Sequence, residues 1–393
     1  MRIIDNIIKG LNDICAVWRD EMKSVLRDEG VLIFFVLVPL AYPLLYSWIY
    51  NNETVREVPV VVVDQSNSVE SRQFVRMADA SPDVCVAFRA GSIDEARRII
   101  ALGDANGIYV IPSDFGLRVN RGEQTAVAVY CDMSLMLTYK AIFQTATAVT
   151  SSMNADIQIR LSGNTTARQD EITTSPLSFD EVTLFNPTSG YGSFILPAVL
   201  MLIIQQTLVL GIGLSAGTRR EGRAVLPSGR AYEGSCRIVL GKSLCYFMIY
   251  AVVAAYLTLI VPMLFSFTSL PNPWSLAWLM LPYILAAIFF GITVSSIVRY
   301  RENVILLVVF MSVPLLFVSG VSWPQSNIPK VWECISWIFP STFGIRAYVR
   351  LNTMGASLSD VLVEYRALCI QVVAYFILAC VVCRHRYRSC STS

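Results

Sequence analysis

The chain has 393 residues, of which 54% are hydrophobic and 15% are charged, and its mean hydropathy is +0.55. A chain this apolar is excluded from the class of ordinary soluble proteins of the same length. The formal net charge of +2 gives no basic excess for binding nucleic acid. Ten cysteines without metal-ligand spacing, with a single histidine, argue against a zinc site. The composition therefore predicts a membrane protein.

An amphipathic helix is predicted for residues 1–30. Apolar residues recur there at helical spacing between charged ones, which is typical of a helix in the interface plane of a membrane. A cytosolic helix that packs on a partner fits the same pattern. This segment carries eleven charges, and no cleavage site follows the apolar run after it. That run is therefore predicted to be a retained anchor and not a signal peptide.

Six apolar segments have the length needed to cross a hydrocarbon core of about 30 Å. The charge-free stretch 243–298 is long enough for two crossings, and the sequence Ser269-Leu270-Pro271-Asn272-Pro273 predicts a turn between them. The predicted transmembrane helices are 31–50, 191–214, 243–266, 276–298, 303–320 and 365–383. Pro39 and Pro43 are expected to kink the first of them.

The positions of Lys and Arg predict the orientation. With the N-terminus inside, the cytoplasmic segments hold sixteen of these residues, the short outer loop 267–275 holds none and the outer segment 321–362 holds three. Cytoplasmic loops are the ones that carry such an excess. Both termini, including the tail 384–393, are thus expected in the cytoplasm, with the protein in the inner (cytoplasmic) membrane.

The segment 51–190 is predicted to be an extracytoplasmic α/β domain inserted between the first and second spans. Short β-branched runs alternate there with short amphipathic helices, and a long helix is expected over 135–161. The fold class is thus an α-helical polytopic membrane protein with six transmembrane helices and an inserted α/β domain. The predicted strands are 58–63, 84–88, 107–111 and 126–130.

Two pairs of residues in this domain leave alternatives open. Cys85 and Cys131 form a disulfide if the compartment is oxidising, or remain two buried thiols. Asp64 and Asp132 follow strands, where aspartates usually cap helices or turns, and a catalytic site is the less favoured alternative.

A break in the apolar pattern is expected after the fifth span. Two prolines and a glycine lie within residues 319–329, and a second apolar run follows at 331–340. Helix-breaking backbone at membrane depth is tolerated only where protein or a water-filled cavity satisfies its polar groups. The outer region 321–362 is therefore predicted to re-enter the membrane at the mouth of a translocation pathway.

The spans contain few groups that could drive transport. Gln205 and Gln206 are the main polar residues in the second span, where they either line a pathway or join helices by hydrogen bonds. An ion-coupled transporter normally has buried titratable groups. Gly241-Lys242-Ser243 resembles the end of a phosphate-binding loop, but Cys236 stands where that loop needs glycine. The energy for transport is therefore expected to come from a partner protein. The sequence contains no motif of an enzyme.

The loop 215–242 is predicted to be the cytoplasmic element that faces a partner. An ordinary positive-inside loop explains its arginines but not the short helix expected over 231–240. Its first half contains Arg219, Arg220, Glu221, Gly222 and Arg223.

Three groups of residues resemble the permease subunits of type-2 ABC exporters, a group that includes bacterial drug and lipid exporters. The order of one span, a large outer domain and five further spans is similar as well. These residues are Val58–Ser68 with Ile111–Phe115, Thr218–Gly222, and Ser319 through Trp323, Pro324 and Pro329 to Trp337–Thr342 and Arg346.

The resemblance implies a function and its partners. Two permeases, identical or paralogous, would form the pathway, and separate ATPase subunits would bind ATP and Mg, leaving this chain without a cofactor. A periplasmic adaptor and an outer-membrane channel often complete the route in Gram-negative relatives. The cargo would be hydrophobic or amphipathic small molecules. The residues that couple to the ATPase would be Arg219, Arg220, Glu221, Gly222 and Arg223. The gate residues would be Ser319, Gly320, Trp323, Pro324, Pro329 and Pro340.

A membrane-anchored sensor or scaffold is the alternative function. In that hypothesis the outer domain binds a ligand or partner and the spans only transmit a signal. It predicts ligand binding by the isolated fragment 51–186, and it leaves the break at 319–329 unexplained.

Overall fold

The structure is a computed structural model that describes residues 2–163, 165–175, 184–186, 190–221, 234–267, 269–298 and 300–391. The chain divides into two compact units. One combines Met1–Glu53 with Leu184–Ser393, and the other is Thr54–Thr183.

The chain begins with two helices, α1 (Arg2–Arg27) and α2 (Glu29–Ile49). Asp28 starts α2, because its carboxylate accepts the backbone N–H groups of Gly30 at 3.1 Å and Val31 at 3.3 Å. A π-helical turn at Ile33–Leu37 interrupts α2 just before its two prolines. Such a turn is one of the usual irregularities of a helix that prolines interrupt.

Four strands and five helices follow in the described part of Thr54–Thr183. In chain order they are β1 (Val58–Asp64), α3 (Val69–Asp79), β2 (Val84–Arg89), α4 (Ile93–Leu102), β3 (Gly107–Ile111), α5 (Phe115–Arg121), β4 (Ala128–Cys131), α6 (Met136–Ser162) and α7 (Ala167–Thr174). The sheet order is β2-β1-β3-β4, in which β1 pairs in parallel with β2 and β3, and β4 is antiparallel to β3.

Strand β1 is buried on both faces of the sheet. Val60 and Val62 pack with α3 and α6, whereas Val61 and Val63 pack into a second core that includes Ala96 of α4. Alternate residues of a strand point to opposite faces, so a strand covered on both sides needs a continuous apolar run. This explains the sequence VPVVVV.

The strand order excludes the disulfide alternative. Cys85 lies on β2 and Cys131 on β4, which are the two edges of the sheet, and both are free. Three strand spacings of about 4.8 Å separate them, well beyond the reach of a disulfide.

The aspartates that end strands are turn residues. Asp64 accepts backbone N–H groups from Ser66 and Asn67 at 3.0 Å and the hydroxyl of Ser71 at 2.7 Å. Asp132 accepts the N–H of Ser134 at 2.9 Å. Hydrogen bonding from Ser134 holds the pKa of Asp132 below its usual value. These contacts account for Asp64 and Asp132 as turn residues.

Seven helices complete the described chain: α8 (Tyr191–Glu221), α9 (Ser235–Leu264), α10 (Pro273–Ile297), α11 (Arg301–Val318), α12 (Lys330–Ser336), α13 (Pro340–Met354) and α14 (Leu362–Ser391). Six helices among the described residues, namely α2, α8, α9, α10, α11 and α14, are long and apolar enough to cross a membrane.

Helix α8 lies at the centre of its unit. Its apolar window is 89% buried, against 17% for α11 and α14, and it packs on α10, α11 and α13. Two glycines of α8, Gly213 and Gly217, serve this packing. A Cβ at Gly213 would lie 2.3 Å from Val304, and one at Gly217 would lie 2.6 Å from Arg301, so only glycine lets α11 approach so closely.

The described parts of the segment predicted as the loop 215–242, namely 215–221 and 235–242, are helical. Helix α8 continues to Glu221, and α9 begins at Ser235, so the short helix predicted over 231–240 is, from residue 235 onward, the start of α9. The prediction ended the spans where charges appear, but a helix continues past charged side chains when partners neutralise them. Gly222 and Arg223 lie outside the described residues.

Candidate functional site

A buried carboxylate joins three helices at one end of the bundle. Glu21 of α1 has no exposed surface, and the guanidinium of Arg219 and the hydroxyl of Tyr246 donate hydrogen bonds to it. The ammonium nitrogen of Lys242 lies 4.0 Å from its other oxygen. Ser215 adds a hydroxyl at 3.5 Å. We refer to these five residues as the Glu21 cluster.

The charges of the cluster keep Glu21 ionised. Burial by itself would raise the pKa of a carboxyl group. The positive charges of Arg219 and Lys242, with the hydrogen bonds from Arg219 and Tyr246, outweigh burial and lower the pKa of Glu21 to about 2. An ion pair of this kind is costly to break, because the partner that remains is a buried, uncompensated charge.

The cluster holds the two helix ends that flank residues 222–234. Arg219 lies in the last turn of α8, before these residues, and Lys242 lies in the third turn of α9, after them. Both reach the same carboxylate of α1. Asp13 of α1 adds a second link to α9, because its carboxylate accepts a hydrogen bond of 2.8 Å from Arg237. Helices α1, α8 and α9 are thereby connected through side chains on either side of residues 222–234.

A second polar junction lies where α1 passes into α2. The Asp28 carboxylate accepts the hydroxyl of Thr218 at 2.7 Å and lies 3.6 Å from the Arg301 guanidinium. Arg220 donates to the backbone carbonyl of Ser295 at the end of α10. These contacts bring the ends of α2, α8, α10 and α11 together at the same end of the bundle as Glu21.

Three of the five predicted coupling residues lie in α8, and two fall outside the described residues. Arg219 and Arg220 make contacts within the chain, Glu221 is the last residue of α8, and Gly222 and Arg223 fall outside the described residues. Glu21, Tyr246 and Asp28 were not singled out from the sequence.

A sequence signal for Glu21 does exist. It lies three residues after Trp18 and four before Val25, on the apolar stripe of α1, where a lone charge has to find a buried partner. The partners themselves, 198 and 221 residues further along the chain, leave no such signal.

The chain turns sharply after α11. Ser319 is fully buried, and Gly320 has a φ of +91°, a conformation that side-chain-bearing residues rarely adopt. The guanidinium of Arg346 in α13 donates to the carbonyl of Ser319 at 3.1 Å. We call the turn at Ser319 and Gly320 the elbow. Arg346 of α13, the helix that follows the break, is its hydrogen-bond partner.

Polar side chains from two long helices support the backbone around the start of α13. Gln205 of α8 accepts the N–H of Ser341 at 2.6 Å and donates to its hydroxyl at 3.0 Å. Gln371 donates to the carbonyl of Trp337 at 2.7 Å, and Tyr375 donates to that of Ile338. We call residues 337–341 the re-entrant tip. Such partners are what an interrupted helix requires at membrane depth.

Close packing fixes α13 against α10. A Cβ added to Gly344 would lie 2.4 Å from the ring of Tyr283, and the hydroxyl of Tyr283 donates to the Met201 carbonyl of α8 at 2.6 Å. Helices α8, α10 and α13 therefore meet at one point with little free space.

The other predicted gate residues surround this region. Ser319 and Gly320 form the elbow, Trp323 is 54% exposed beside Pro324, Pro329 precedes α12, and Pro340 is the first residue of α13. Proline suits the first helical turn because its missing N–H has no intrahelical partner there.

The two glutamines of α8 differ. Gln205 is 1% exposed and bonded to the re-entrant tip, so the alternative of a hydrogen bond between helices describes it. Gln206 is half-buried, and its amide nitrogen is enclosed without a hydrogen-bond partner among the described residues. Lys242 belongs to the interior of α9 and faces Glu21, which excludes a phosphate-binding loop at this position.

Six described helices can span a membrane, and the central one, α8, bonds through Gln205 to the broken segment, so the fold is that of a polytopic membrane protein. The family model described as "ABC-2 family transporter protein" matches residues 30–381. The chain belongs to this family and is a transport component of the permease type.

Curated relatives agree with this family. The chain is 20% identical over 328 residues to the "Probable multidrug ABC transporter permease YbhR" of Escherichia coli strain K12, covering 82% of this chain and 84% of the relative. The protein of the same name from Escherichia coli O157:H7 matches to the same extent.

Proposed function

We propose that this chain is the permease subunit of an ATP-driven exporter that moves hydrophobic or amphipathic small molecules out of the cytoplasm or the inner leaflet. The related permease from Escherichia coli is named as a multidrug transporter, and we extend that cargo class to this chain. ATP and Mg bind to a separate ATPase subunit, and this chain binds no cofactor.

The Glu21 cluster is the observation that carries the coupling mechanism. One carboxylate joins the interfacial helix to the helix ends on both sides of residues 222–234. A displacement that an ATPase subunit imposes on residues 222–234 is therefore passed to α1, α8 and α9 together. The same displacement reaches the re-entrant tip through the central helix α8, because Gln205 of α8 is hydrogen-bonded to the tip.

The proposed topology follows the charge distribution. Both termini and the Glu21 cluster face the cytoplasm, Thr54–Thr183 is the extracytoplasmic domain between the first and second spans, and the re-entrant tip belongs to the exit gate. A second copy or a paralogue completes the pathway. A periplasmic adaptor and an outer-membrane channel extend it in a Gram-negative envelope.

Affinity purification of the tagged full-length chain from its native membrane tests the proposal. An ATPase subunit is expected at comparable stoichiometry, with ATPase activity in the complex and none in the permease alone. Reconstituted vesicles should then transport an amphipathic dye only when ATP is supplied. Purification without any nucleotide-binding partner would refute the exporter assignment.

A further inference from the structure

A cavity of about 340 Å³ lies within the unit Thr54–Thr183, at the end of β1 and β2 beside α3. Its buried lining residues are apolar, namely Val62 of β1, Val75 of α3 and Ala90, which follows β2. Small-molecule sites in proteins occupy about 300–1,000 Å³. The cavity therefore has room for a small molecule or for the head of a larger one.

The cavity lies where two neighbouring strands send their connections to opposite faces of the sheet. Strand β1 leads to α3, which packs with Val60 and Val62 on one face. Strand β2 leads to α4, which packs with Val61 and Val63 on the other face. In open α/β sheets, ligands bind in the crevice that such a switch leaves at the carboxyl ends of parallel strands. The position of the cavity in the sheet therefore favours a ligand site.

Three arginines line this cavity. Arg72 and Arg76 are one turn apart on α3, and Arg89 is the last residue of β2. Arg89 stands in register with Val62, and residues in register on neighbouring strands point to the same face of a sheet. Arg89 therefore belongs to the face that α3 covers. The three guanidinium groups reach one cavity from two different elements.

The three arginines form no ion pair with a carboxylate among the described residues. Arg72 donates to the backbone carbonyl of Asn67 at 3.0 Å, and the ion pairs described in this unit belong to other arginines. The unit is nevertheless acidic, with sixteen acidic and eleven basic residues. Cations that converge in an acidic unit without carboxylate partners are an arrangement that an anionic ligand completes.

The carboxylates on the adjoining elements are bonded to other groups. Asp64, the acidic residue among those that line the cavity, accepts three hydrogen bonds from the turn after β1 and the start of α3. Asp79 of α3 and Glu95 of α4 each accept a backbone N–H group at 2.9 Å. The three arginines and Asp64 together give the cavity a formal charge of +2.

We propose that this cavity binds a dianionic phosphate group, carried by free phosphate or by a phosphomonoester lipid headgroup. A phosphate monoester has a charge of about −1.5 to −2 at pH 7, which matches the charge of the cavity. Planar guanidinium groups fit its oxygens, because each can donate two parallel hydrogen bonds. The site is independent of the exporter assignment, since every residue that forms it belongs to the unit Thr54–Thr183.

Titration of the full-length protein with inorganic phosphate tests the site. The protein is purified in a non-ionic detergent without phosphate, and binding is measured by isothermal titration calorimetry. Saturable binding at one site per chain is expected for the wild type. Arg76→Gln and Arg89→Gln should each weaken it at least about tenfold, because each removes charge-assisted hydrogen bonds to the ligand.

The matched control is Arg97→Gln. Arg97 is an exposed arginine of α4 that pairs with Asp94 and does not line the cavity, so this variant should bind phosphate like the wild type. Arg76 and Arg89 are themselves exposed, and their replacement should leave the thermal unfolding of the ligand-free protein unchanged.

A second titration distinguishes the two sources of the phosphate group. It compares dihexanoyl phosphatidic acid with dihexanoyl phosphatidylcholine, which has the same chains but a zwitterionic headgroup. Tighter binding of phosphatidic acid than of inorganic phosphate, lost in Arg89→Gln, would identify a lipid headgroup as the ligand. Tighter binding of inorganic phosphate would identify free phosphate.

Two results would overturn the site. One is a wild-type protein that binds neither inorganic phosphate nor phosphatidic acid in a saturable way. The other is unchanged affinity for both ligands when Arg76→Gln and Arg89→Gln are combined. Purification of the chain without an ATPase partner would refute the proposed function and leave phosphate binding intact.

Discussion

Glu21 shows how much one residue can connect in this chain. It belongs to a helix that precedes the family match at residue 30, yet its carboxylate is completely enclosed by groups from α8 and α9. An ionised carboxylate is stable in such a place only because two cations and two hydroxyl groups surround it. The interfacial helix is therefore fixed to the bundle by a specific interaction, in addition to apolar contact.

Replacing Glu21 by glutamine is expected to destabilise the protein. The Glu21→Gln variant leaves Arg219 and Lys242 facing a neutral amide in a buried site, which should cost about 3 kcal/mol. The measurement is thermal or SDS-induced unfolding of the purified protein in detergent. Asp13→Asn is the matched control, because its pair with Arg237 is about 30% exposed and should contribute less than about 1 kcal/mol. Equal losses in both variants would contradict a special role of Glu21.

Acid should remove the same stabilisation in the wild type. The pKa of Glu21 is about 2 in the folded protein and near 4.5 when it is unfolded, so its contribution is complete above pH 4.5 and disappears as the pH falls toward 2. The wild type should therefore lose on the order of 3 kcal/mol more than Glu21→Gln over this interval. Unfolding curves at a series of pH values test this, and parallel curves for the two proteins would exclude it.

At the scale of elements, the re-entrant tip depends on groups that its own segment does not supply. The N–H of Ser341 and the carbonyls of Trp337 and Ile338 have partners only because α8 and α14 present Gln205, Gln371 and Tyr375. The break after α11 is thus satisfied by neighbouring helices, the condition under which a bilayer accepts irregular backbone.

Adjacent glutamines provide a test of this arrangement. Gln205→Leu removes both hydrogen bonds to Ser341 and leaves a buried N–H unpaired, so we expect a loss of about 2 kcal/mol. Gln206→Leu should cost little or stabilise the protein, because the Gln206 amide nitrogen already lacks a partner among the described residues. Thermal unfolding in detergent compares them. A larger loss from Gln206→Leu would contradict the assigned roles.

This pair also shows where prediction from sequence ends. Both glutamines stand out as polar residues in an apolar helix, and the sequence alone offers a pathway or a helix contact for each. A rotation of about 100° separates neighbouring residues of a helix. Which of them meets Ser341 depends on how α8 is turned against α13, and that is set by packing such as the contact of Gly344 with Tyr283.

At the scale of the whole molecule, Thr54–Thr183 has what an independent domain requires. Its sheet is covered on both faces by helices of the same unit, and buried groups such as the Tyr109 hydroxyl, which donates to the Ile142 carbonyl at 2.9 Å, are bonded within it. The unit has about 130 residues and two such cores, which is more than the minimum size of a domain that folds alone.

The excised fragment 54–183 is therefore expected to fold in water without the membrane-spanning helices of the other unit. It should give a mixed α/β circular dichroism spectrum and a single cooperative thermal transition, unchanged by a reducing agent because Cys85 and Cys131 are free thiols. Val61→Asp, which places a charge between the layers, should abolish the transition. A fragment that is soluble only with detergent would show that this unit depends on the rest of the chain.

The local features of this protein follow directly from its amino-acid sequence. Hydrophobic length and backbone preference are local properties, so a stretch of about 20 residues or fewer is enough to predict each feature. These features are the six predicted spans, the β-branched strands of the α/β unit and the break around Gly320. The resemblance to type-2 ABC permeases is carried by the same kind of local pattern.

The pairing of residues that are distant in sequence depends on the tertiary structure. The enclosure of Glu21 by Arg219 and Lys242 and the bond from Gln205 to Ser341 each join residues more than 130 positions apart. It also extended α8 and α9 past charges at which the spans were expected to end. The free energy of a buried charge depends on which opposite charges surround it, and that is settled when the helices pack.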